Sequence, residues 1–148
     1  MSEGLRGETD IPGLLVDQAP DAIIFADLSG TIRIWNGAAE RMFGFVADAA
    51  IGASLDIIIP KSFREAHWRG FDRAIAESLT KYVGQALPTR ALRADGTEFY
   101  VELSFAIILD AEGKAVGSVA HARDIDERFT KERISRKRMK ELEAELAK

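Results

Sequence analysis

Residues 21–36 read DAIIFADLSGTIRIWN, and this stretch decides the fold because it joins two short apolar runs through a turn. The turn, DLSG, places Asp and Gly between the runs AIIFA and TIRIW, and that composition is typical of a β-hairpin. Within TIRIW the alternation predicts Ile32 and Ile34 on one face of the strand and Trp35 on the other. The stretch therefore predicts an antiparallel pair of strands near the start of a folded domain.

Two further turn signals predict three more strands in the second half of the chain. ADG at 94–96 joins QALPTRALR to TEFYVELSFAIIL, and DAEG at 110–113 leads into KAVGSVAHARDI. Pro88, in the first of these runs, has no backbone donor and therefore predicts an edge position or an irregular start. The clearest alternation in the chain places four apolar residues on one strand face: Phe99, Val101, Leu103 and Phe105.

The segment between the two groups of strands is predicted to be helical. Asn36 is a good N-cap for a first helix that stops near Gly44, and two shorter helical turns follow it. Ser62 is predicted to open a longer helix that runs to about Ser78, with Glu65 completing a capping box. The apolar stripe of this longer helix, with Trp68 beside it, has the spacing of a buried face: Phe63, His67, Phe71, Ala74 and Ile75.

From Ile125 onward the chain is predicted to form one charged helix with a thin apolar stripe. Among its apolar residues, Met139, Leu142 and Leu146 follow a heptad spacing. A helix with so few apolar contacts is weak alone, so we expect it to pack against another subunit or to continue into an effector. The predicted organisation is a flexible leader at 1–12, a core at 13–124 and a linker helix at 125–148.

Composition narrows the function classes. The chain has 148 residues, no cysteine and a net charge of −4, so disulfides, thiolate metal sites, a cysteine nucleophile and a thiol–flavin adduct are excluded. No stretch approaches the ~20 apolar residues of a membrane span, and the N-terminus lacks the apolar region of a secretory signal. We therefore expect a cytoplasmic protein that does not bind membranes.

The order of these elements, together with three motifs, resembles the PAS domain family. The family's opening hairpin and first helix resemble APDAIIFADLSGTIRIWNGAAERMFGF at 19–45, and its strand–turn–strand element resembles RADGTEFYVELSF at 93–105. Its closing strand and signalling helix resemble ARDIDER at 122–128. The resemblance implies an α+β PAS fold, in which a five-stranded antiparallel sheet carries short helices on one face and a C-terminal signalling helix. It also implies a sensory and dimerisation module that holds a ligand, or nothing, between the sheet and the long helix.

Residues 60–74, PKSFREAHWRGFDRA, are similar to a segment of the haem-binding PAS subgroup, which includes the oxygen-sensing domains of nitrogen-fixation histidine kinases. The resemblance implies that His67 is the metal ligand, bound to the iron of haem b, and that Arg73 contacts the haem propionates. It also implies a distal side formed by Leu87, Leu103 and Phe105, where Leu87 replaces an arginine that holds O₂ in the kinases. Apolar side chains would admit CO or NO but stabilise bound O₂ poorly, which speaks against oxygen sensing.

Each candidate residue has a structural alternative. His67 binds haem, or it packs and forms a local hydrogen bond; Trp68 stacks on a flavin, or it packs in the core. Val119 and His121 line the ligand cavity if the last strand alternates inward at these positions, and otherwise they lie on its outer face. From the long helix, two more aromatic residues complete the predicted cavity wall: Phe63 and Phe71.

Three functions are compatible with the sequence. The first is a PAS sensor that binds haem or another small ligand and relays through the C-terminal helix; the others are a ligand-free dimerisation and relay module and a flavin-binding redox sensor. An enzyme is not expected, because Glu98 and Glu102 share a strand face without a pocket, nucleophile or base. The expected partners are a second copy, bound through the C-terminal helix or the core, and a downstream effector. The basic helix lacks the features of nucleic-acid binding.

Arg123 and Asp124 match the junction between core and output helix in the family that the chain resembles. An ion pair between them would transmit strain to the helix. The alternative is a solvent-exposed pair that contributes ~0–1 kcal/mol to stability.

Overall fold

The computed structural model describes residues 9–78 and 86–147. Its first half contains α1 (Ile11–Gln18), β1 (Ala22–Asp27), β2 (Ile32–Trp35), α2 (Gly37–Phe43), α3 (Ala47–Ala50), 3₁₀ turns at Leu55–Ile58 and Lys61–Phe63, and α4 (Arg64–Glu77). Its second half contains β3 (Leu87–Leu92), β4 (Glu98–Leu109), β5 (Ala115–Asp124) and α5 (Asp126–Leu146). Most of the predicted leader, at 1–8, and the end of the predicted helical segment, at 79–80, lie outside the described residues. Helix α1 was not predicted.

The five strands form one antiparallel sheet in the order β2-β1-β5-β4-β3. This architecture confirms the predicted fold class, including the number of strands and their antiparallel pairing. Pro88 lies in β3, at the edge of the sheet, where the missing backbone donor interrupts no interior ladder.

The predicted alternation of β2 is wrong. Ile32 and Trp35 are both buried, whereas Ile34 is 40% exposed. The cause is a shift in register between Phe25 and Ala26 on the neighbouring strand β1, because such an irregularity puts two residues of one strand opposite one of the other and resets the facing. Trp35 therefore points into the core, where its indole Nε1 donates to the carbonyl oxygen of Phe45 at 2.8 Å.

The pairing of β1 with β5 separates the two faces of the sheet. On what we call the inner face, which packs against the helices, Ile24 pairs with Ala120. On the outer face, Ile23 pairs with His121. Strand β4 keeps the predicted alternation: its buried residues are Phe99 and Val101, and Leu103 is packed against the same core.

Asn36 fastens the first half of the fold. Its Oδ1 accepts hydrogen bonds from the backbone N–H groups of Ala39, which caps α2, and of Ile23 in β1. Its Nδ2 donates to the carbonyl oxygens of Val16 and Asp21. Asn36 is thus the predicted N-cap of α2. Its buried amide also joins the end of α1 to the start of β1. Gly44 closes α2 in the left-handed conformation, φ 86°.

The start of α4 differs from the predicted capping box. The helix begins at Arg64 after a 3₁₀ turn, and its N-cap residue, Phe63, makes no side-chain capping bond. Arg64 instead donates from its side chain to the carbonyl oxygens of Ile59 and Asp56, at 3.0 and 3.2 Å. The preceding turn therefore fixes the helix start. Its end, with Ser78 in the left-handed conformation, agrees with the predicted limit.

Helix α5 leaves the core at Ile125, as predicted. Phe129 packs against the ring of Tyr100 with centroids 4.4 Å apart, whereas Ile134, Met139 and Leu146 are exposed. Within the described residues, no helix is both long enough and apolar enough to cross a lipid bilayer.

Candidate ligand-binding site

His67 projects from the first turn of α4 beside two aromatic side chains. Its ring centroid lies 4.7 Å from that of Trp68 and 6.0 Å from that of Phe71, which is part of the core. The imidazole Nδ1 is buried and has no hydrogen-bond partner among residues 9–78 and 86–147. Burial lowers the pKa of His67 below 6.5 and outweighs the opposing effect of the Asp56 carboxylate. Burial therefore favours the neutral form of the side chain.

Trp68 fastens α4 to the first hairpin. Its indole Nε1 donates to Oδ1 of Asp56 at 2.7 Å. Its six-membered ring lies against Gly30, so closely that a Cβ on this glycine would overlap it. Both ends of the indole are thus engaged in packing, which is the structural alternative for this residue.

The inner face of the sheet presents an apolar wall at the β3–β4 side. Leu87 pairs with Leu103, and Phe105 pairs with Ala120. These residues share the inner face, yet none is fully covered, and Phe105 is 36% exposed. The predicted distal residues are therefore together on one incompletely covered surface.

Four predicted site residues do not join this group. Phe63 precedes α4 and is 44% exposed. Arg73 is exposed, because six residues along a helix place it about 120° around the axis from His67. Val119 and His121 lie on the outer face, since their neighbours Ala120 and Ala122 face inward and side chains of a strand alternate.

The two best-defined surface depressions formed by the described residues are not lined by His67. One of about 190 Å³ lies largely on the outer face, and its lining includes Val119 and His121. The other, of about 690 Å³, lies where α5 leaves the core, between the charged side chains of Arg93, Arg123 and Lys131.

The predicted pairing of Arg123 with Asp124 is wrong, because neighbouring strand residues point to opposite faces. Arg123 binds Asp21 at 3.0 Å instead. Asp124 binds Arg93 at 3.2 Å, and Arg93 also donates to the carbonyl oxygen of Met42. Each residue of the junction is therefore tied to a different part of the core.

Two contributors were missed in the sequence. Asp56 holds the Trp68 indole and sets the charge near His67, and Gly30 accommodates the Trp68 ring. Gly30 was recognised as a turn residue, and φ +79° agrees with that role. No sequence signal connects either residue to α4, because the contacts arise only when the hairpin and the 3₁₀ turn at Leu55–Ile58 pack against the helix.

The donor chemistry fits an axial haem ligand. A neutral imidazole in an apolar setting is a suitable ligand for haem iron, and leaving a buried nitrogen without a partner costs about 1–3 kcal/mol. His67 meets the first condition and has one such nitrogen. Leu103 and Phe105 add apolar side chains on the inner face of the sheet, the face that packs against the helices.

Comparison with known proteins gives a consistent family. The family model described as PAS fold matches residues 16–129. An uncharacterised protein of Azorhizobium caulinodans is 36% identical over 133 residues, which cover 89% of this chain and 18% of that protein. The sensor protein FixL of Bradyrhizobium diazoefficiens is 31% identical over 127 residues, covering 86% of this chain and 24% of FixL. The chain thus spans less than a quarter of the length of these curated relatives.

The crystal structure of a PAS domain from Colwellia psychrerythraea has the same fold. It aligns with a TM-score of 0.69 at 24% identity, covering 79% of this chain and 96% of that domain.

Proposed function

This chain belongs to the PAS fold family, and from that premise we propose that it is the sensory module of a longer signalling protein that binds haem b through His67. The observation that carries the proposal is a half-buried imidazole whose neutral form is favoured by burial and whose buried Nδ1 has no partner among the described residues. The resemblance of residues 60–74 to the haem-binding subgroup and the likeness to the sensor protein FixL support the same conclusion.

The apolar wall determines the class of signal that we propose. When bound, haem would supply an iron centre for a diatomic gas, and this chain's own residues would orient and shield it. Leu87, Leu103 and Phe105 offer no hydrogen-bond donor to a polar gas complex. The proposed signal is therefore CO or NO in preference to O₂, and the proposed activity is binding and relay, not catalysis.

We further propose that α5 carries the output. The exposed residues Ile134, Met139 and Leu142 have no covering surface among the described residues, and a second copy of the chain would bury them. The relatives are more than four times as long as the matched segments, which supports an effector elsewhere in the protein.

Haem titration tests the proposal directly. The chain has two histidines, so His67→Ala and His121→Ala form a matched pair, the second altering an exposed residue on the outer face. We expect a Soret band to appear as haem is added to the wild-type chain and to His121→Ala, and haem affinity to fall at least tenfold in His67→Ala.

The alternatives give different results. If no Soret band appears with the wild-type chain, or if both variants bind equally, His67 is not the ligand and the ligand-free relay module is favoured. A yellow protein with flavin absorbance would favour the redox sensor. Against that sensor, Trp68, the residue predicted to stack on a flavin, is already engaged by Asp56 and Gly30.

A further inference from the structure

The hydroxyl of Tyr100 lies between two arginines that belong to different elements. Nη2 of Arg90, in edge strand β3, donates to Tyr100 Oη at 2.8 Å. Nη1 of Arg133, in α5, donates to the same oxygen at 2.8 Å. Tyr100 itself lies in β4, on the outer face, opposite Arg90. One phenolic oxygen thus connects the last helix to the edge of the sheet.

The same residue holds the first turn of α5 through its backbone and ring. Its N–H donates to Oδ1 of Asp126 at 3.0 Å, and its carbonyl oxygen accepts from the N–H of Ile125 at 3.1 Å. Its ring contacts that of Phe129. These contacts fix where α5 begins. The bond to Arg133 lies about 10 Å further along the axis and therefore restricts the direction in which α5 leaves.

Arg90 extends the connection towards α4. Its guanidinium carbon lies 5.3 Å from the centre of the Tyr100 ring and 5.9 Å from the centre of the Phe63 ring, both within the range of a cation–π contact. Phe63 ends the 3₁₀ turn and is the N-cap residue of α4. The guanidinium is therefore shared between the helix that carries His67 and the tyrosine that holds α5.

We propose that Tyr100, Arg90 and Arg133 form a latch that sets the direction of α5 and couples it to the start of α4. Displacing the first turn of α4 would move the Arg90 guanidinium and loosen its bond to the hydroxyl, so α5 would gain freedom beyond Phe129. Two guanidinium donors also lower the pKa of Tyr100 below 10, Arg90 having the larger effect, as expected for a hydroxyl in this position. The latch needs no ligand at His67, so it can be tested without haem.

The latch is tested by a distance measurement in the full chain. The chain has no cysteine, so spin labels can be placed uniquely with Lys137→Cys on α5 and Glu112→Cys in the β4–β5 turn. The labelled chain is diluted with unlabelled chain so that only distances within one molecule are measured. We expect Tyr100→Phe to broaden the distance distribution at least twofold, because the ring contact with Phe129 remains and only the hydroxyl is lost.

Two further variants and a control define the outcome. Arg133→Met should broaden the distribution as much as Tyr100→Phe does, and it alters no core residue. Arg138→Met is the matched control, because Arg138 lies on the same helix but contacts Glu141, and its distribution should equal that of wild type. If both Tyr100→Phe and Arg133→Met leave the distribution unchanged, the latch is refuted.

Coupling to α4 is tested by Phe63→Ala in two backgrounds. With Arg90 present, Phe63→Ala should broaden the α5 distribution. In an Arg90→Met background, which is already broadened, the same change should add nothing. Equal broadening in both backgrounds would show that Phe63 acts independently of Arg90 and would overturn the coupling.

Discussion

The two halves of the interior differ in how completely they are packed. Around β1, β2 and α2, large side chains such as Ile24, Ile32 and Phe43 are no more than 2% exposed. Around α4 and the distal part of β4, Phe63 and Phe105 are 44% and 36% exposed, although both are large and apolar. The same sheet therefore supports a closed core at one side and an open apolar surface at the other.

The two halves of the interior contribute differently to the stability of the fold. Burial and the Asn36 network concentrate stability in the first half, where side chains fill the space between sheet and helices. The second half keeps apolar surface that contributes less to stability because it is not removed from water. Under the proposed function, a ligand bound at His67 would alter the position of α4 without unfolding the core.

Removing a ring from each half should give the largest contrast. Phe43 is 1% exposed and its ring centroid lies 5.5 Å from those of both Trp35 and Phe99. Phe43→Ala should lower the free energy of unfolding by about 3–5 kcal/mol. Phe63→Ala should lower it by less than about 1 kcal/mol, since the ring is already partly in water. Urea unfolding of both variants measures the contrast, and equal losses would contradict it.

The contact between Gly30 and Trp68, where the two halves meet, should give the next effect. Gly30→Ala adds a Cβ at φ +79° and forces it into a ring that Asp56 holds in place. We expect the free energy of unfolding to fall by about 2–4 kcal/mol. Backbone strain contributes roughly 1–2 kcal/mol of this, and the steric overlap contributes the remainder.

Gly52→Ala is the matched control for that change. Gly52 also has a positive φ, +95°, but a Cβ there meets no atom of the described residues within 4 Å. Gly52→Ala should therefore lower the free energy of unfolding only by the backbone contribution, about 1–2 kcal/mol. If the two variants are equally stable in thermal or urea unfolding, the Trp68 ring moves aside at little cost. In that case it does not fasten α4 to the hairpin.

Much of the fold could be predicted because its signals are local. The DLSG and ADG turns, the Asn36 cap, Gly44 and the alternation of β4 are each set by a few adjacent residues, and the structure bears them out. The errors arise where a contact from elsewhere in the chain determines the local structure. The irregularity in β1–β2 pairing turned Trp35 inward, and Arg64, bound to carbonyls of the preceding turn, replaced the predicted capping box.

The candidate site was harder to predict because it depends on which strand face meets α4. Leu103 and Phe105 were placed on a common face by the strand period alone. For Val119 and His121 the strand alternation is compatible with either the inner or the outer face of the sheet. Only the pairing of β5 with β1 selects the outer face. Asp56 has no sequence signal as a neighbour of His67, since the 3₁₀ turn that carries it folds back onto α4.

The smallest expected effect is the pH dependence of stability in the haem-free chain. Burial lowers the pKa of His67 in the folded state below its value of 6.5 in an unfolded chain, so the unfolded state binds more protons as the pH falls through about 6.5. Stability should therefore decrease from pH 7.5 to pH 5.5.

His67→Gln should reduce this dependence, whereas His121→Gln, which alters the exposed histidine of the outer face, should retain it. Urea midpoints measured at both pH values provide the test. If His67→Gln keeps the full dependence, the imidazole is not desolvated as the structure places it, and the argument for a neutral ligand on α4 fails with it.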